Sequence, residues 1–390
     1  MSKEVVIVSA VRSPVAKGKK DGALADVHAV DLSAHIMKAA IDKAGVDPAS
    51  IDDAFWGCAM PEATQGLNVA RLAWLRAGLP VEVPSATINR FCSSGLQTIA
   101  LGAQSVMSDM ADIVLAGGVE MMSQVPMSGY HTRLDPDLTE SYIGMGFTAE
   151  RVAARWNVTR EDQDRWALGS QQKAARAWQR GAFDDQIAPV PVEKVEWKGS
   201  EKHETTVEFA RDELPRPDTT MAGLAKLRPA FKTNGTVTAG NASPYSDGAA
   251  AVLLMSADRA KELGLKPLAR FITFAAAGVE PDIMGVGPIK AIPKALKRAG
   301  LKLDDVKLIE FNEAFAAQVM AVIKELGIPE EKVNVNGGAI ALGHPLGATG
   351  SKLTTQLIHE LGKQGGGIGM VTMCVGGGMG AAGLFEVYAA

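Results

Sequence analysis

Residues 86–100, Ala86-Thr-Ile-Asn-Arg-Phe-Cys-Ser-Ser-Gly-Leu-Gln-Thr-Ile-Ala100, predict a short strand, a tight turn and the start of a helix. A strand that leads through a turn into a helix is the building unit of an α/β fold. Cys92 lies in the turn, just before the helix predicted from about Ser94 to Ser108. Unpaired N–H groups and the positive dipole end of a helix favour a thiolate at such a position. The stretch therefore predicts a fold class and a candidate nucleophile.

The same order of elements recurs in the C-terminal half. Strand-like Val333–Asn336 leads into a glycine-rich turn that holds His344, and a helix is predicted from Ala348 to Gly362. Other predicted elements also correspond between the halves: strands Val5–Ala10 and Phe271–Phe274, strands Ala54–Cys58 and Lys307–Asn312, helices Asn68–Ala77 and Glu313–Leu326, strands Asp112–Ala116 and Gly369–Met373. A repeat of this length predicts two α/β halves related by a pseudo-twofold axis, which would bring the Cys92 and His344 turns together.

One segment breaks the correspondence between the halves. In the second half, Cys374-Val-Gly-Gly-Gly-Met-Gly380 leads directly into a last strand, whereas in the first half a long excursion begins after Gly118. We therefore predict three units: an N-terminal half of residues 1–118 plus 246–266, an inserted loop domain of residues 119–245, and a C-terminal half of residues 267–390. The insertion leaves from the strand ends where an open α/β sheet binds ligands, so it should cover the active site.

The composition restricts the class of protein. The 390 residues are 47% hydrophobic and 22% charged with a formal net charge of −4, which fits a globular protein and predicts no nucleic-acid partner. No apolar stretch approaches the length of a membrane span. Three cysteines do not make a disulfide framework, and a reducing cytoplasm fits them best. The absence of CxxC and HxxxH spacings argues against a metal site, and the absence of a Walker pattern and of GxGxxG after a first strand argues against a nucleotide cradle.

Three side chains in glycine-rich turns are candidates for chemistry. Taken alone, Cys92 would most often be an inert buried thiol and His344 a loop histidine bonded to backbone. Together they form a nucleophile and the natural base at neutral pH. Cys374, at the end of a buried strand, could form a redox pair, bind a metal, or act as acid and base. Asn312 could orient a water or donate to an oxyanion, although Asn is also favoured as an ordinary helix N-cap.

Four motifs resemble those of the thiolase family, in the family's order and over essentially the whole chain. They are Asn89-Arg-Phe-Cys-Ser-Ser-Gly95, Asn312-Glu-Ala-Phe-Ala316, Gly343-His-Pro345 and Cys374-Val-Gly-Gly-Gly378. The resemblance implies an α/β fold of duplicated halves in five layers, α-β-α-β-α, with an inserted loop domain. The four linked motifs together make the resemblance specific, because any one of them alone would be a weak signal.

The resemblance also implies a two-step cycle on 3-ketoacyl-CoA. His344 would help to deprotonate Cys92, which would attack the 3-keto carbonyl and become acylated. Acetyl-CoA would leave as an enolate that Cys374 protonates, and a second CoA, activated by Cys374, would release the shortened acyl-CoA. Asn312, through a water, and His344 would stabilise the enolate oxygen, and the amides of Cys92 and Gly376 the tetrahedral oxyanion. Coenzyme A is then a substrate, and the resemblance implies no separate cofactor and no metal.

The insertion resembles the family's CoA-binding loop domain. Thr238-Ala-Gly-Asn-Ala-Ser243 matches the segment whose Ser and Ala line the pantetheine channel, which implies contacts from Ser243 and Ala239. Arg216 matches a position near the nucleotide end of CoA. The other residues implied for the channel are Phe231, Phe315 and Met145.

Within the family, the motifs favour the degradative 3-ketoacyl-CoA type of fatty-acid β-oxidation. The alternative, an acetoacetyl-CoA-specific biosynthetic thiolase, more often has Gly where Ser93 stands and His where Gly144 stands. Two rivals come from other classes. A non-catalytic CoA or lipid carrier would not need both cysteines and His344, and a decarboxylating ketoacyl synthase has His or Asn in place of Cys374.

The resemblance extends to the partners of the chain. It implies a homodimer or homotetramer, with dimers formed through the half that carries the nucleophile. A hydratase/dehydrogenase of β-oxidation is a candidate partner, and acyl-CoA and CoA are the expected small molecules.

Overall fold

The computed structural model describes residues 3–130 and 133–390. The strands are β1 Val5–Arg12, β2 Ala16–Lys17, β3 Asp53–Gly57, β4 Ser85–Ile88, β5 Ile113–Met121, β6 Val190–Lys198, β7 Glu201–Phe209, β8 Ser246–Ser256, β9 Ala269–Gly278, β10 Val306–Phe311, β11 Gly367–Val375 and β12 Met379–Val387. The helices are α1 Ala29–Ala44, α2 Val69–Arg76, α3 Ser94–Met107, α4 Met145–Arg155, α5 Arg160–Gln179, α6 Met221–Ala225, α7 Ala257–Glu262, α8 Pro288–Ala299, α9 Ala316–Leu326, α10 Ala339–Leu342 and α11 Leu346–Lys363.

The two halves form sheets with the same strand order and polarity. The first half has the order β1-β8-β5-β3-β4, and the second has β9-β12-β11-β10, with a parallel bridge from Ile309 to Val333 at the place of β4. In both sheets the first two pairings are antiparallel and the following ones are parallel. Among the described strands, the pairing of β1 with β9, at Val6 and Ile7, joins the two sheets. This shared order confirms the duplication predicted from the sequence.

Three layers of helices cover and separate the two sheets. Helices α1 and α2 pack on the outer face of the first sheet through a core that includes Ile36 and Trp74. Helices α8 and α9 cover the second sheet through a core that includes Ile292 and Val319. Helices α3 and α11 lie between the sheets and share one core with both. The five-layered fold is therefore confirmed, and the Cys92 and His344 turns precede its two central helices.

The central helices approach each other closely where each carries a glycine. A Cβ atom added to Gly95 would lie 2.7 Å from the Ser351 nitrogen, and one added to Gly350 would lie 2.0 Å from the Leu96 nitrogen. A side chain at either position would push the helices apart. Glycine here therefore brings the start of α3 and the start of α11 together, and with them the two turns.

The insertion is fastened to both halves by buried polar contacts. The Arg12 guanidinium on β1 donates to both carboxylate oxygens of Asp212, at 2.8 and 3.0 Å. On the second half, Glu313 accepts from Trp166 Nε1 at 3.1 Å and from Ser170 Oγ at 2.7 Å, both on α5. The chain leaves the first sheet at the end of β5 and returns at β8, and the unit boundaries stay a prediction.

Two predicted elements are wrong for local reasons. Residues 333–336 do not form a strand beyond the single bridge, because Asn334 uses its side chain to bond the backbone N–H and carbonyl of Phe311, at 2.7 and 2.8 Å. The helix expected from Glu313 begins only at Ala316, since Phe315 is extended and forms a bridge with Ala242. Asn312 is therefore free of the N-cap role that competed with a role in chemistry. Within the described ranges, none of the helices is both long enough and apolar enough to cross a membrane.

Candidate active site

The turn that holds Cys92 is locked by its own side chains. Cys92 belongs to the short 3-10 helix Phe91–Ser93, which runs directly into α3. Asn89 Oδ1 accepts from the Phe91 N–H at 2.8 Å, and Ser94 Oγ donates to the Phe91 carbonyl at 2.7 Å. Phe91 has a φ of 43°, in the left-handed region that costs a non-glycine residue on the order of 1–3 kcal/mol. The surrounding bonds hold this strained residue beside the thiol.

Burial controls the protonation of Cys92. It raises the pKa of the thiol to about 11, while the Gly376 N–H bonds the sulfur and acts in the opposite direction. Anionic Glu120 raises the pKa further, and the N–H of Cys92 lowers it. The expectation that the helix start would stabilise a thiolate is wrong for the free protein, because loss of water outweighs the amides. Both amides proposed for the oxyanion nevertheless lie at the sulfur.

The hydrogen bonds of His344 define its tautomer. Nδ1 lies 2.6 Å from Thr349 Oγ1, whose hydroxyl donates to the Pro345 carbonyl at 2.9 Å. Because that hydroxyl has a single proton, it accepts from Nδ1–H, so Nε2 is unprotonated and can act as an acceptor. Nε2 faces Asn312 Nδ2 at 3.2 Å. Burial lowers the pKa of His344 to about 3, with nearby Lys352 adding to the effect, so the imidazole is neutral.

Cys374 is the second thiol of the site. It is the next-to-last residue of β11 and is fully buried. Burial raises its pKa well above the ordinary range, and the charge of neighbouring Cys92 raises it further. It packs in an apolar cluster with Phe315, Met284 and Met145. The fold thus buries all three candidate side chains, Cys92, His344 and Cys374, which the sequence analysis expected to act as nucleophile, base and second proton carrier.

Several of the predicted channel residues lie together beside Cys374. The rings of Phe231 and Phe315 are 6.1 Å apart and nearly perpendicular, and Met145 packs in the same cluster as Phe315. The N–H and hydroxyl of Ser243 donate to the Ala314 carbonyl, at 3.0 and 3.1 Å. These contacts align the insertion along the segment between Asn312 and α9.

Two predicted channel residues lie on the exterior of the insertion. Arg216 and Ala239 are both exposed. The Arg216 N–H donates to Gln171 Oε1 on α5 at 2.7 Å, which anchors its backbone, and the residue as a whole is exposed. Contact of any of these residues with CoA stays a prediction.

Three residues that the sequence analysis did not single out hold the turns in place. Ser246 Oγ accepts from the His344 N–H at 3.0 Å, Thr349 orients the imidazole, and the Glu120 carboxylate accepts from the Gly347 N–H at 2.8 Å. For Glu120, a charged residue at the end of an apolar strand was a sequence feature that could have indicated its role. Ser246 and Thr349 had no such signal, because their partners are defined only by the folded turn.

In the parts of the chain that the structure describes, no three His, Cys, Asp or Glu side chains form a group that could hold a metal ion. His344 and Asn312 are bonded to each other and to neighbouring groups, while Asn312 Oδ1 is buried with no partner among the described residues. Thiols and an imidazole are side chains of the kind used for nucleophilic attack and proton transfer.

Family models and known proteins match the chain over almost its full length. The model "Thiolase, N-terminal domain" matches residues 5–258, and "Thiolase, C-terminal domain" matches residues 265–387. A 3-ketoacyl-CoA thiolase of Bacillus subtilis (strain 168) is 55% identical over 390 residues, covering 99% of this chain and 100% of the relative. An acetyl-CoA acetyltransferase of Chromobacterium violaceum is 47% identical, covering 97% of this chain and 98% of the relative.

Solved structures agree with the sequence comparison. The crystal structure of the Bacillus anthracis acetyl-CoA acetyltransferase superposes with a TM-score of 0.89 at 42% identity, covering 99% of both chains. The crystal structure of human mitochondrial 3-ketoacyl-CoA thiolase gives a TM-score of 0.89 at 41% identity, again covering 99% of both chains. With both family models, these relatives and the duplicated fold in agreement, the chain belongs to the thiolase family.

Proposed function

We propose that this protein is a 3-ketoacyl-CoA thiolase, which uses CoA to cleave 3-ketoacyl-CoA into acetyl-CoA and a shortened acyl-CoA. The observation that carries the proposal is the buried group of Cys92, Cys374 and neutral His344, whose Nε2 is bonded by Asn312. Relatives named 3-ketoacyl-CoA thiolase, up to 55% identical, support the substrate class.

In the first step, Cys92 Sγ forms a bond to the 3-keto carbon while its proton moves to His344 Nε2. Because the pKa of Cys92 is about 11 and that of His344 about 3, a thiolate–imidazolium pair is unfavourable before substrate binds. Proton transfer therefore accompanies the attack. The amides of Gly376 and Cys92 stabilise the oxyanion that forms, which is where such donors contribute most.

In the second part of the cycle, the bond between C2 and C3 breaks and acetyl-CoA leaves as an enolate. His344, now protonated on Nε2, and Asn312, through a water, stabilise the enolate oxygen, and the Cys374 thiol gives its proton to the carbon. The resulting Cys374 thiolate takes the proton of the incoming CoA, whose sulfur attacks the thioester on Cys92. The bond between Cys92 Sγ and the acyl carbon breaks, acyl-CoA leaves, and the released Cys92 thiolate takes the proton back from His344 Nε2. Every proton taken in one step is returned in another, so the same groups can run the condensation.

The alternative is an acetyl-CoA acetyltransferase specific for acetoacetyl-CoA. A relative with that name is 47% identical, so the family comparison alone does not separate the two substrates. We favour the broader 3-ketoacyl-CoA activity because the motifs around Ser93 and Gly144 match the degradative type. Turnover of 3-ketoacyl-CoAs of graded length separates the two: activity confined to the four-carbon substrate supports the alternative.

Labelling of the nucleophile tests the mechanism. Incubation with acetyl-CoA should add an acetyl mass to the peptide that contains Cys92 and block its alkylation. Cys92→Ala should abolish both the label and thiolysis, and Cys374→Ala should fold but lose turnover. An acetyl group on another residue, or full thiolysis by Cys92→Ala, would contradict the assignment.

The proposal also covers the residues that contact CoA, the oligomeric state, the location and the partner of the protein. Ser243, Ala239, Arg216, Phe231, Phe315 and Met145 are proposed to contact CoA. The chain is proposed to act as a homodimer or homotetramer in the cytoplasm, with a β-oxidation hydratase/dehydrogenase as a candidate partner. Light scattering on the purified protein tests the oligomer, and Phe231→Ala should raise the KM for acyl-CoA if its ring lines the channel.

A further inference from the structure

Glu120 and Cys374 occupy equivalent places in the duplicated fold. Each is the next-to-last residue of a nine-residue strand, β5 or β11, in the middle of its sheet. Glu120 lies opposite Gly248 of β8, and Cys374 lies opposite Gly380 of β12. The duplication therefore places one ionisable side chain at the same strand end in each half.

Each of these side chains lies beside the turn that belongs to the other half. Cys374, in the second half, lies beside Cys92 in the first. Glu120, in the first half, accepts from the Gly347 N–H at 2.8 Å, three residues after His344 in the second half. Each contact therefore crosses from one half to the other. This exchange follows from the pseudo-twofold relation between the halves.

The Glu120 carboxylate also bonds the backbone segment that packs beside Cys92. It accepts from the N–H groups of Ala59 and Met60, at 2.9 and 3.1 Å, and from Gln65 Nε2. Ala59 packs in one apolar cluster with Cys92 and with Leu346 of the His344 turn. One buried carboxylate thus fastens a segment that contacts Cys92 to the turn that carries His344.

We propose that Glu120 is a positioning residue that sets the separation between the Cys92 thiol and the His344 imidazole. This inference rests on the proposed function, because it assigns those two groups as nucleophile and base. Glu120 touches neither reacting atom in this scheme. It acts through the backbone of Gly347 and of residues 59–60, and an error of about 1 Å in such a geometry can cost on the order of 10²-fold in rate.

The protonation of Glu120 bears on the same contacts. Burial raises its pKa to about 7, and the amide donors oppose that rise. The ionisable groups on the elements around it are Cys58, whose sulfur is 4.0 Å from Oε1, Cys92, Asp247 on β8 and His344. As pH falls through about 7, a proton on one oxygen competes with the amides that bond it.

Glu120→Gln tests the proposal because it keeps the shape and replaces one acceptor with an N–H donor. We expect kcat and the single-turnover rate of Cys92 acetylation to fall on the order of 10²-fold, with the KM for acyl-CoA unchanged. Glu120→Asp keeps the charge on a shorter side chain and should lose less. The alkylation profile of Cys92 should shift to lower pH in Glu120→Gln and stay in place in Glu120→Asp, because only the former removes the charge.

Ile36→Val is the matched control for general loss of stability. Ile36 is fully buried in the outer layer and contacts neither turn, so this variant should lower the thermal midpoint while keeping wild-type kcat. Wild-type kcat in Glu120→Gln, or a loss that follows the thermal midpoint, would overturn the proposal. If Glu120→Gln does not fold, the kcat of Glu120→Asp tests the proposal instead. A wild-type kcat in Glu120→Asp would also overturn the positioning role. Failure of the wild-type protein to acetylate Cys92 would instead reject the proposed function.

Discussion

At the scale of single residues, burial has opposite effects on the pKa values of the proposed nucleophile and the proposed base. It raises the pKa of Cys92 to about 11 and lowers that of His344 to about 3, so both are neutral near pH 7. A neutral pair in a buried site avoids the cost of separated charges until a substrate brings the developing oxyanion. The reactivity of the site therefore depends on how its side chains are positioned rather than on a preformed thiolate.

The pH dependence of Cys92 alkylation follows from this protonation. A thiol with a pKa near 11 is mostly protonated below that pH, so the rate of alkylation by iodoacetamide should rise about tenfold per pH unit between pH 7 and 9. The measurement is the alkylation rate of the Cys92 peptide by mass spectrometry, with Cys92→Ala as the control. A plateau below pH 8 would contradict the prediction, because it would reveal a thiolate of low pKa.

The free energy of unfolding should depend on pH through His344, and the lowered pKa of this residue gives the sign of that dependence. The folded pKa of about 3 lies below the ordinary value of 6.5, so the unfolded chain binds the additional proton between these values. Neutral burial of this histidine therefore favours the folded state fully above pH 6.5, and the contribution decreases as pH falls from 6.5 towards 3. His344→Asn should reduce the loss of thermal stability over that window, and an unchanged slope would contradict this.

At the scale of elements, the contact between α3 and α11 decides whether the two turns meet. Gly350→Ala places a methyl group 2.0 Å from the Leu96 nitrogen, so one helix has to move. We expect destabilisation of about 1–3 kcal/mol from overpacking and a loss of thiolysis larger than the unfolded fraction explains. Urea unfolding and turnover of the folded fraction are the measurements.

Gly169→Ala is the matched control for this substitution. Gly169 lies within α5, and a Cβ atom added there has no neighbour within 4 Å. Alanine should therefore stabilise the helix by up to about 1 kcal/mol and leave thiolysis unchanged. Equal effects of the two substitutions would show that the close approach of α3 and α11 does not matter.

At the scale of the whole molecule, the insertion depends on a buried ion pair for its attachment. Arg12 and Asp212 have fully buried side chains, and Asp212 Oδ1 also accepts from the Val15 N–H at 2.7 Å. Asp212→Asn leaves the guanidinium without its counter-charge, which should destabilise the protein by about 3–5 kcal/mol in urea unfolding. Asp42→Asn, in the exposed pair with Lys38, should change stability by less than about 1 kcal/mol. Similar values for both variants would contradict a role for the buried pair.

The amino-acid sequence alone determined the fold class and the duplication, and it singled out the three candidate reactive side chains. Local patterns carry that information, because strands, helices and glycine-rich turns are encoded by short segments, and Cys92, His344 and Cys374 stand in such turns. The repeat was readable since both halves keep the same order of elements. The family motifs supplied the roles that local patterns left open.

Only the tertiary structure decided the protonation and support of the site. The pKa of Cys92 depends on burial between layers that are far apart in the chain, so the helix start alone led to a wrong expectation. The tautomer of His344 depends on Thr349, and the cross-over contact of Glu120 on Gly347 depends on the pseudo-twofold relation between the halves. Desolvation and long-range hydrogen bonds are properties of the packed molecule, and no short segment of sequence encodes them.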